Sequence, residues 1–516
     1  MISKVFTAAL NGIDAELIIV ETDVSAGLPA LNVVGLPGIE IREARERMRV
    51  AVHNMGVSFP ARRVTVNLSP ADTRKEGSHF DLPMAVGILG AMSLVPQQSL
   101  ENTAFLGELS LDGSLKAIRG VLPLAEGILR NGIKNIVIPA ENLREASLVE
   151  GVNLIPAGSL AEVSEVLRNP DFALELLERY STKNSRKPKT PEKAFEKDFA
   201  DVYGQENAKR ALVIAAAGMH NIAMVGFPGS GKTMLASRLP GILPEMTYEE
   251  KLEVTKIYSI AGEISPDEPL MDKRPFRCPH HTISAAGLVG GGSRPRPGEI
   301  SLSHNGVLFL DEFPEFTPSN LEMLRQPLES GEISICRAAG NYRFPADFML
   351  VIAANPCRCG YYGDPMHNCT CTPSQIAGYR RHFSGPLLDR IDIQLEVMPV
   401  KYEELSCEAG ISPDSGTMRA SVSAARQVQE ERFRGSGIKF NSSLAGSLLK
   451  KYCTPSPDGE RLLEEAFRTL ALSARARDRI LRVSRTIADI EGDGQIGSAH
   501  IAEALSYRSL DKLYRG

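Results

Sequence analysis

Gly226, Phe227, Pro228, Gly229, Ser230, Gly231, Lys232 and Thr233 follow the order Gly-x-x-x-x-Gly-Lys-Thr, directly after the apolar run Ile222 to Val225. Those residue types in that order suit phosphate binding. The glycines allow a turn tight enough for successive N–H groups to face phosphate oxygens. A helix starting near Lys232 adds its positive dipole end. Lys232 can reach the β- and γ-phosphates of ATP, the Thr233 hydroxyl suits Mg²⁺, and Met234 closes the cradle.

Two further stretches belong with the cradle. In VLFLDE (307–312), four apolar residues precede Asp311 and Glu312, which places both carboxylates at the C-terminal end of a buried strand, where α/β sheets carry their ligands. Asp311 would hold Mg²⁺ and Glu312 would polarise the attacking water. In MLVIAAN (349–355) another apolar strand ends in Asn355, suited to placing that water beside the γ-phosphate. Three such strand ends in this order read as an ATP hydrolase.

These strands need a large scaffold. At 516 residues the chain exceeds a single core. A hydrophobic content of 43% is that of a soluble globular protein, and a net charge of −5 is too mild for bulk attraction to nucleic acid, so any such site must be local. The N-terminus MISKVFTAALNGIDAEL lacks the long apolar core of a signal peptide, and no run is long enough to span a bilayer. The expected compartment is the cytoplasm, with no membrane partner. The eight cysteines are then expected as thiols or metal ligands rather than disulfides.

In residues 1–170, strand-like alternation (Ala15 to Glu21, Arg63 to Leu68, Asn135 to Pro139) mixes with helical patterns (Ile39 to Asn54, Pro83 to Leu94). SPADTRKEGSHFDLPMAVGIL (69–89) followed by FLGELSLDGSLKAIRGVLPLAEGILRNGIKNIVIPAEN (105–142) resembles the proteolytic domain of Lon. That family uses a serine and lysine pair, and matching its pattern puts the nucleophile position on His79 and the lysine position on Leu122, which cannot accept a proton. The expectation is an α/β Lon-like domain without peptidase chemistry, with His79 and Asp81 structural. Residues 171–197, ending in the basic run STKNSRKPKTPEKAFEK, are expected to be a flexible linker. DFADVYGQENAKRAL (198–212) then opens the motor, and Tyr203, Gly204 and Gln205 look like the adenine-side segment of AAA+ proteins.

RPFRCPHHTISAAGLVGGGSRPRPGEISLSHNGVLFLDEFPEF (274–316), LLDRIDI (387–393) and LSARARDRILRVSRTIADI (472–490) resemble the magnesium-chelatase-like AAA+ family, in its YifB/ComM branch. The resemblance implies an α/β P-loop core at 198–400, a parallel sheet with helices on both faces, and a helical lid at 401–516. It implies a homo-oligomeric ring, a hexamer, in which Arg390 serves as the finger for a neighbour's γ-phosphate and Arg475 as the second sensor arginine. Arg477, Arg479 and Arg482 read as a solvated helix face.

Two insertions mark the clade. Glycines and prolines in 284–302 eject a mobile loop carrying Arg294 and Arg296, and 332–350 reads as a hairpin turning at Gly340 and Asn341 with Arg337 and Arg343 beside the turn. In a ring, these arginines would track single-stranded or branched DNA without reading sequence. The alternative is pairing with acidic groups of the adjacent subunit. PCRCGYYGDPMHNCTCTP (356–373) sets Cys357, Cys359, Cys369 and Cys371 as two C-x-C pairs. They could close a tetrahedral structural Zn²⁺ site, with His367 able to replace one ligand; reduced thiols or a conditional disulfide are the alternatives. Two functions remain: a DNA motor of the helicase or branch-migration type acting in natural transformation or recombination, as the resemblance implies, or a chelatase-like ATPase that remodels a protein partner.

Overall fold

Alternation of buried and exposed residues over the first 25 positions builds a long antiparallel pair, Ile2–Asn11 with Asp14–Ser25, closed at Gly12 with φ +64°. This pair lies inside a seven-stranded mixed sheet ordered Ala30–Val34, Arg63–Ser69, Asp14–Ser25, Ile2–Asn11, Thr103–Phe105, Asn135–Pro139, Asn153–Ala157. The structure is a computed structural model that describes residues 2–184, 197–292, 295–337, 340–381, 385–400, 413–470 and 472–508. The helix Ile39–Asn54 buries Ile41, Ala44, Met48, Ala51 and Val52, one face at helical spacing. The helix Asp81–Ala91 is buried throughout.

Residues 172–184 depart from the expected linker. They form the helix Phe172–Asn184, because Leu176 and Leu177 turn inward and the Tyr180 hydroxyl donates to Glu162 at 3.0 Å. Residues 185–196 lie outside the described residues.

The second sheet has five strands ordered Phe276–Arg277, Val307–Leu310, Met349–Ala354, Ile222–Gly226, Ile393–Val397, all parallel. Its central strands are continuous apolar runs with no alternation, as a parallel sheet covered on both faces requires. On one face Met224, Phe309 and Val351 pack against the helix Glu206–Gly218 and the lid helices. On the other, Ala223, Leu308, Leu350 and Ile352 pack against the inserted segments. The lid helices among the described residues are Ser415–Phe433, Gly446–Tyr452, Pro457–Thr469, Ala474–Glu491 and Ser498–Ser506. Along Ala474–Glu491 the expected solvated arginine face is only partly so. The Arg479 side chain is 8% exposed, between Asp389 and Asp392, whereas Arg477 is 41% exposed beside Glu460.

Both insertions are ordered more than their sequence suggests. The described residues of 284–302 include the helix Ala285–Val289, a ribbon of Gly290–Gly291 with Arg296–Pro297, and the helix Glu299–Leu302. The hairpin pairs Glu332–Arg337 with Gly340–Pro345, and Gly340 and Asn341, expected at the turn, are instead strand residues paired with Arg337 and Cys336. Ribbon and hairpin lean together, since a Cβ on Gly290 would lie 3.3 Å from the Ile335 side chain.

The N-terminal domain rests on these parts of the motor. A Cβ on Gly12 would sit 2.4 Å from the Arg343 carbonyl oxygen, Ile13 joins a small apolar cluster with Met246, Val254 and Ile257, and the Gly120 amide donates to Ser259 O at 3.1 Å. Gly12→Val should therefore cost about 1–3 kcal/mol of stability through forced separation of the hairpin. Chemical denaturation of the full chain measures this, and an unchanged midpoint would contradict the packing.

Candidate nucleotide site

The cradle grows from the end of the strand Ile222–Gly226. Gly226 has no room for a side chain, because a Cβ there would lie 2.2 Å from Val397 O on the adjacent strand. Gly229 and Gly231 take φ of +76° and +88°, and Gly231 caps the helix Lys232–Arg238. These left-handed values favour glycine.

Lys232 is folded back into the loop. Its Nζ donates to Gly226 O at 2.8 Å, Phe227 O at 2.9 Å and Asn355 Oδ1 at 3.2 Å. Burial lowers the basicity of the Lys232 amine. A buried ammonium whose hydrogen bonds all go to neutral oxygens, with the Asp311 carboxylate acting on it from nearby, gains from an incoming anion. The Thr233 hydroxyl donates to Asp311 Oδ2 at 2.7 Å, so the strand end Val307–Leu310 brings its carboxylate to the start of the helix. A hydroxyl and a carboxylate in contact are a fitting donor set for Mg²⁺. Four residues expected to act together thus meet as two hydrogen-bonded pairs, Lys232 with Asn355 and Thr233 with Asp311.

Gln205, with φ +59°, reaches across from the segment before the motor. Its amide donates to Ser230 O at 3.3 Å and Met398 O at 2.6 Å, tying the loop to the end of the strand Ile393–Val397. Gly204 turns the chain at φ +61°, while Tyr203 and Met234 are exposed.

Glu312 also takes a left-handed backbone, φ +49° and ψ +41°, and its amide donates to Asp311 Oδ1 at 2.8 Å. Its carboxylate lies 3.3 Å from His281 Nδ1. The sequence reading missed His281. The sequence signal available was its position, in a His-His pair between a strand and the first insertion.

Arg390 lies at the other end of the sheet. Its backbone carbonyl accepts from Asn221 Nδ2 at 3.0 Å, and Asn221 immediately precedes the strand that ends in the cradle. Five residues of strand separate the two ends, about 16 Å at 3.3 Å per residue. The Arg390 guanidinium pairs with Glu329. Arg475 keeps the same company, 3.3 Å from Asp389, and both arginines line a cavity of about 710 Å³ with Arg479 and Arg482. The two arginines expected at a γ-phosphate are therefore grouped with each other and lie apart from the cradle of their own chain.

Of the insertion arginines, Arg296, Arg337 and Arg343 are exposed, and Arg294 lies outside the described residues. Arg296 rims a cavity of about 380 Å³ shared with Arg119, Ser78 and His79 of the N-terminal domain. His79 itself is buried, 2.9 Å from Ala8 O, and burial pushes its imidazole down to about 4. Asp81 receives two hydrogen bonds from Arg47 at 2.8 and 3.0 Å, and Leu122 is buried in the same domain.

The four cysteines form a cluster. Cys357 Sγ lies 3.4 Å from Cys359 and 3.7 Å from Cys369, Cys359 lies 3.5 Å from Cys369, and Cys371 falls within 4.8 Å of all of them. Tetrahedral zinc at about 2.3 Å from each sulfur requires sulfurs about 3.8 Å apart, so the donor set fits. Backbone N–H groups of Tyr361 and Thr370 pull the Cys359 thiol down to about 5. His367 instead bonds Asp364, at 3.3 Å. The cluster touches the cradle: a Cβ on Gly360 would lie 2.5 Å from Pro228 Cγ.

Among the described residues, no helix is long and apolar enough to cross a membrane. The family profile described as magnesium chelatase, subunit ChlI, matches residues 198–405, the one described as subunit ChlI of Mg-chelatase matches 20–142, and the one for the ChlI C-terminal part matches 412–508. The competence protein ComM of Haemophilus influenzae is 43% identical over 513 residues, covering 99% of this chain and 98% of its own. The YifB protein of Escherichia coli is 40% identical over 512 residues, with 99% and 98% covered. Lon protease 2 of Bacillus subtilis is 32% identical over 129 residues, 24% of this chain and 22% of its own, in keeping with a Lon-like domain preceding the motor. Full-length identity at this level, together with the three profile matches, places the chain in the ComM/YifB family of magnesium-chelatase-like AAA+ proteins.

Proposed function

We propose that the protein is an ATP-driven ring motor, a hexamer, that moves single-stranded or branched DNA without regard to sequence, as a helicase or branch-migration enzyme. The observation that carries this reading is the separation within one chain. Lys232, Thr233, Asp311 and Asn355 converge at one end of the strand Ile222–Gly226, while Arg390 and Arg475 gather at the other. A second copy must then supply the arginines to each cradle.

In this scheme Lys232 releases its carbonyl partners to bind the β- and γ-phosphates of ATP. Thr233 and Asp311 hold Mg²⁺, which neutralises phosphate charge when bound. Glu312 polarises the attacking water and Asn355 positions it. Arg390 and Arg475 of the adjacent copy stabilise charge developing on the transferred phosphoryl group. Tyr203, Gly204 and Gln205 lie on the adenine side. Exposed Arg296, Arg337 and Arg343, with Arg294, supply phosphate-backbone contacts in the channel. The name of the Haemophilus relative, a competence protein, favours a role in handling incoming DNA. The profile name, a magnesium chelatase subunit, favours the other reading, a motor that remodels a protein partner.

Cys357, Cys359, Cys369 and Cys371 are assigned a structural zinc that braces Gly360 against Pro228. Metal analysis should find about one zinc per chain. Its removal by chelator should depress ATP turnover several-fold, and readdition should restore it. A chain without metal and with full turnover would contradict this assignment.

The function itself is tested by measuring ATP hydrolysis with and without single-stranded and forked oligonucleotides, alongside conversion of the fork. DNA should stimulate hydrolysis and the fork should be unwound, and Lys232→Ala should lower both by about 10²-fold or more. Hydrolysis indifferent to every DNA in an assembled ring, together with stimulation by a protein partner, would favour the remodelling function instead.

A further inference from the structure

We propose that Asn221 is a positioning residue for Arg390: it ties the main chain that carries this arginine to the strand that carries the cradle, and its loss is felt at the neighbouring copy's nucleotide rather than at its own. The proposal rests on the nucleotide site being shared between copies and names the residue that sets its distant half.

Asn221 joins three segments of the core. Its Oδ1 accepts from the Leu350 amide at 2.8 Å, and its Nδ2 donates to Arg390 O at 3.0 Å. Its own carbonyl accepts from the amides of Asp392 at 3.0 Å and Ile393 at 3.1 Å. The segments so joined are the start of the cradle strand Ile222–Gly226, the strand Met349–Ala354 that leads to Asn355, and the turn between the helix Gly385–Leu388 and the strand Ile393–Val397. Both partners of the side chain are main-chain groups of fixed polarity. One end must accept and the other must donate, which the amide of asparagine does; a carboxylate of the same shape can only accept.

The residues on either side of Arg390 answer to the lid. The Asp389 carboxylate lies 3.3 Å from Arg475, and Ile391 O accepts from Arg508 Nη1 at 2.8 Å. The bond from Asn221 refers the Arg390 carbonyl to the core sheet instead. Asn221 also lines the cavity of about 710 Å³ that holds Arg390 and Arg475, so a shift of the turn has room to occur. A guanidinium that must meet a γ-phosphate across a subunit boundary depends on its anchor, because about 1 Å of misplacement at a reacting centre can cost about 10²-fold in rate. Breaking the Asn221 bond leaves the turn to follow the lid, while Lys232, Thr233 and Asp311 at the far end of the strand keep their own contacts.

The test uses full-length chains, alone or mixed in equal amounts, assembled with ATP and Mg²⁺. Asn221→Asp keeps the acceptor for the Leu350 amide and sets an oxygen against Arg390 O. Alone, it should hydrolyse ATP about tenfold more slowly than the parent or worse, with KM within about twofold. Mixed with Lys232→Ala, it should recover toward about one quarter of the parental rate, since that partner lends an intact Arg390 to an intact cradle. Mixed with Arg390→Ala, it should gain nothing. Asn221→Ala, which also frees the Leu350 amide, should show the same asymmetry. The proposal is overturned if both Asn221 variants match the parent, if they recover with Arg390→Ala instead, or if they recover with neither partner, as a purely structural residue would. The mixture of Lys232→Ala with Arg390→Ala is the control. Its recovery without the asymmetry refutes the role of Asn221 alone; its failure refutes the shared site, and this proposal with it.

Discussion

The length of one buried strand governs the chemistry of this chain. Ile222–Gly226 carries the phosphate cradle at its C-terminal end, and Asn221, just before its first residue, holds the backbone of Arg390. A β-strand cannot bend within its sheet to bring its ends together, and the flanking strands Met349–Ala354 and Ile393–Val397 fix it in register on both sides. Phosphate-binding groups and charge-stabilising arginines in a single chain are thus held apart by rigid geometry. Under the proposed function, association of copies around a ring would reunite them, and a head-to-tail interface is the kind that makes rings.

Other parts of the chain bear on the two ends of that strand. The cysteine loop presses Gly360 against Pro228 and so bears on the shape of the cradle. The lid sets Arg475 beside Asp389, and buried contacts behind it, including His220 Nδ1 to Asp392 Oδ2 at 3.0 Å and His220 Nε2 to the Thr486 hydroxyl at 2.8 Å, join the lid to the start of the last sheet strand. The N-terminal domain abuts the hairpin at Arg343 and the helix Tyr248–Ala261, so these parts of the motor are backed by a second folded body.

What could be read from sequence was what the chain encodes locally. The cradle is a contiguous motif, and Asp311 and Asn355 each terminate an apolar run, so their meeting followed from the topology of a parallel sheet. Contacts that depend on where an insertion returns were not legible. His281 and Glu312 are separated by the whole first arm, and nothing in either neighbourhood specifies the other. Arg479 looked solvated because its neighbours Arg477 and Arg482 are also charged, yet its burial is decided by Asp389 and Asp392, which arrive from the core. The helix Phe172–Asn184 was legible in principle, since Phe172, Leu176 and Tyr180 recur every four residues, but the basic residues that follow outweighed that stripe. Gly340 and Asn341, good turn formers, are used instead as strand residues opposite Arg337 and Cys336.

Under the proposed function each nucleotide site is built from two copies of the chain. Lys232→Ala and Arg390→Ala variants should each be inactive alone, yet an equal mixture of the two, assembled together, should recover about one quarter of the parental ATP hydrolysis, because that share of interfaces pairs an intact cradle with an intact finger. A mixture no more active than either variant by itself would rule out a site shared between copies.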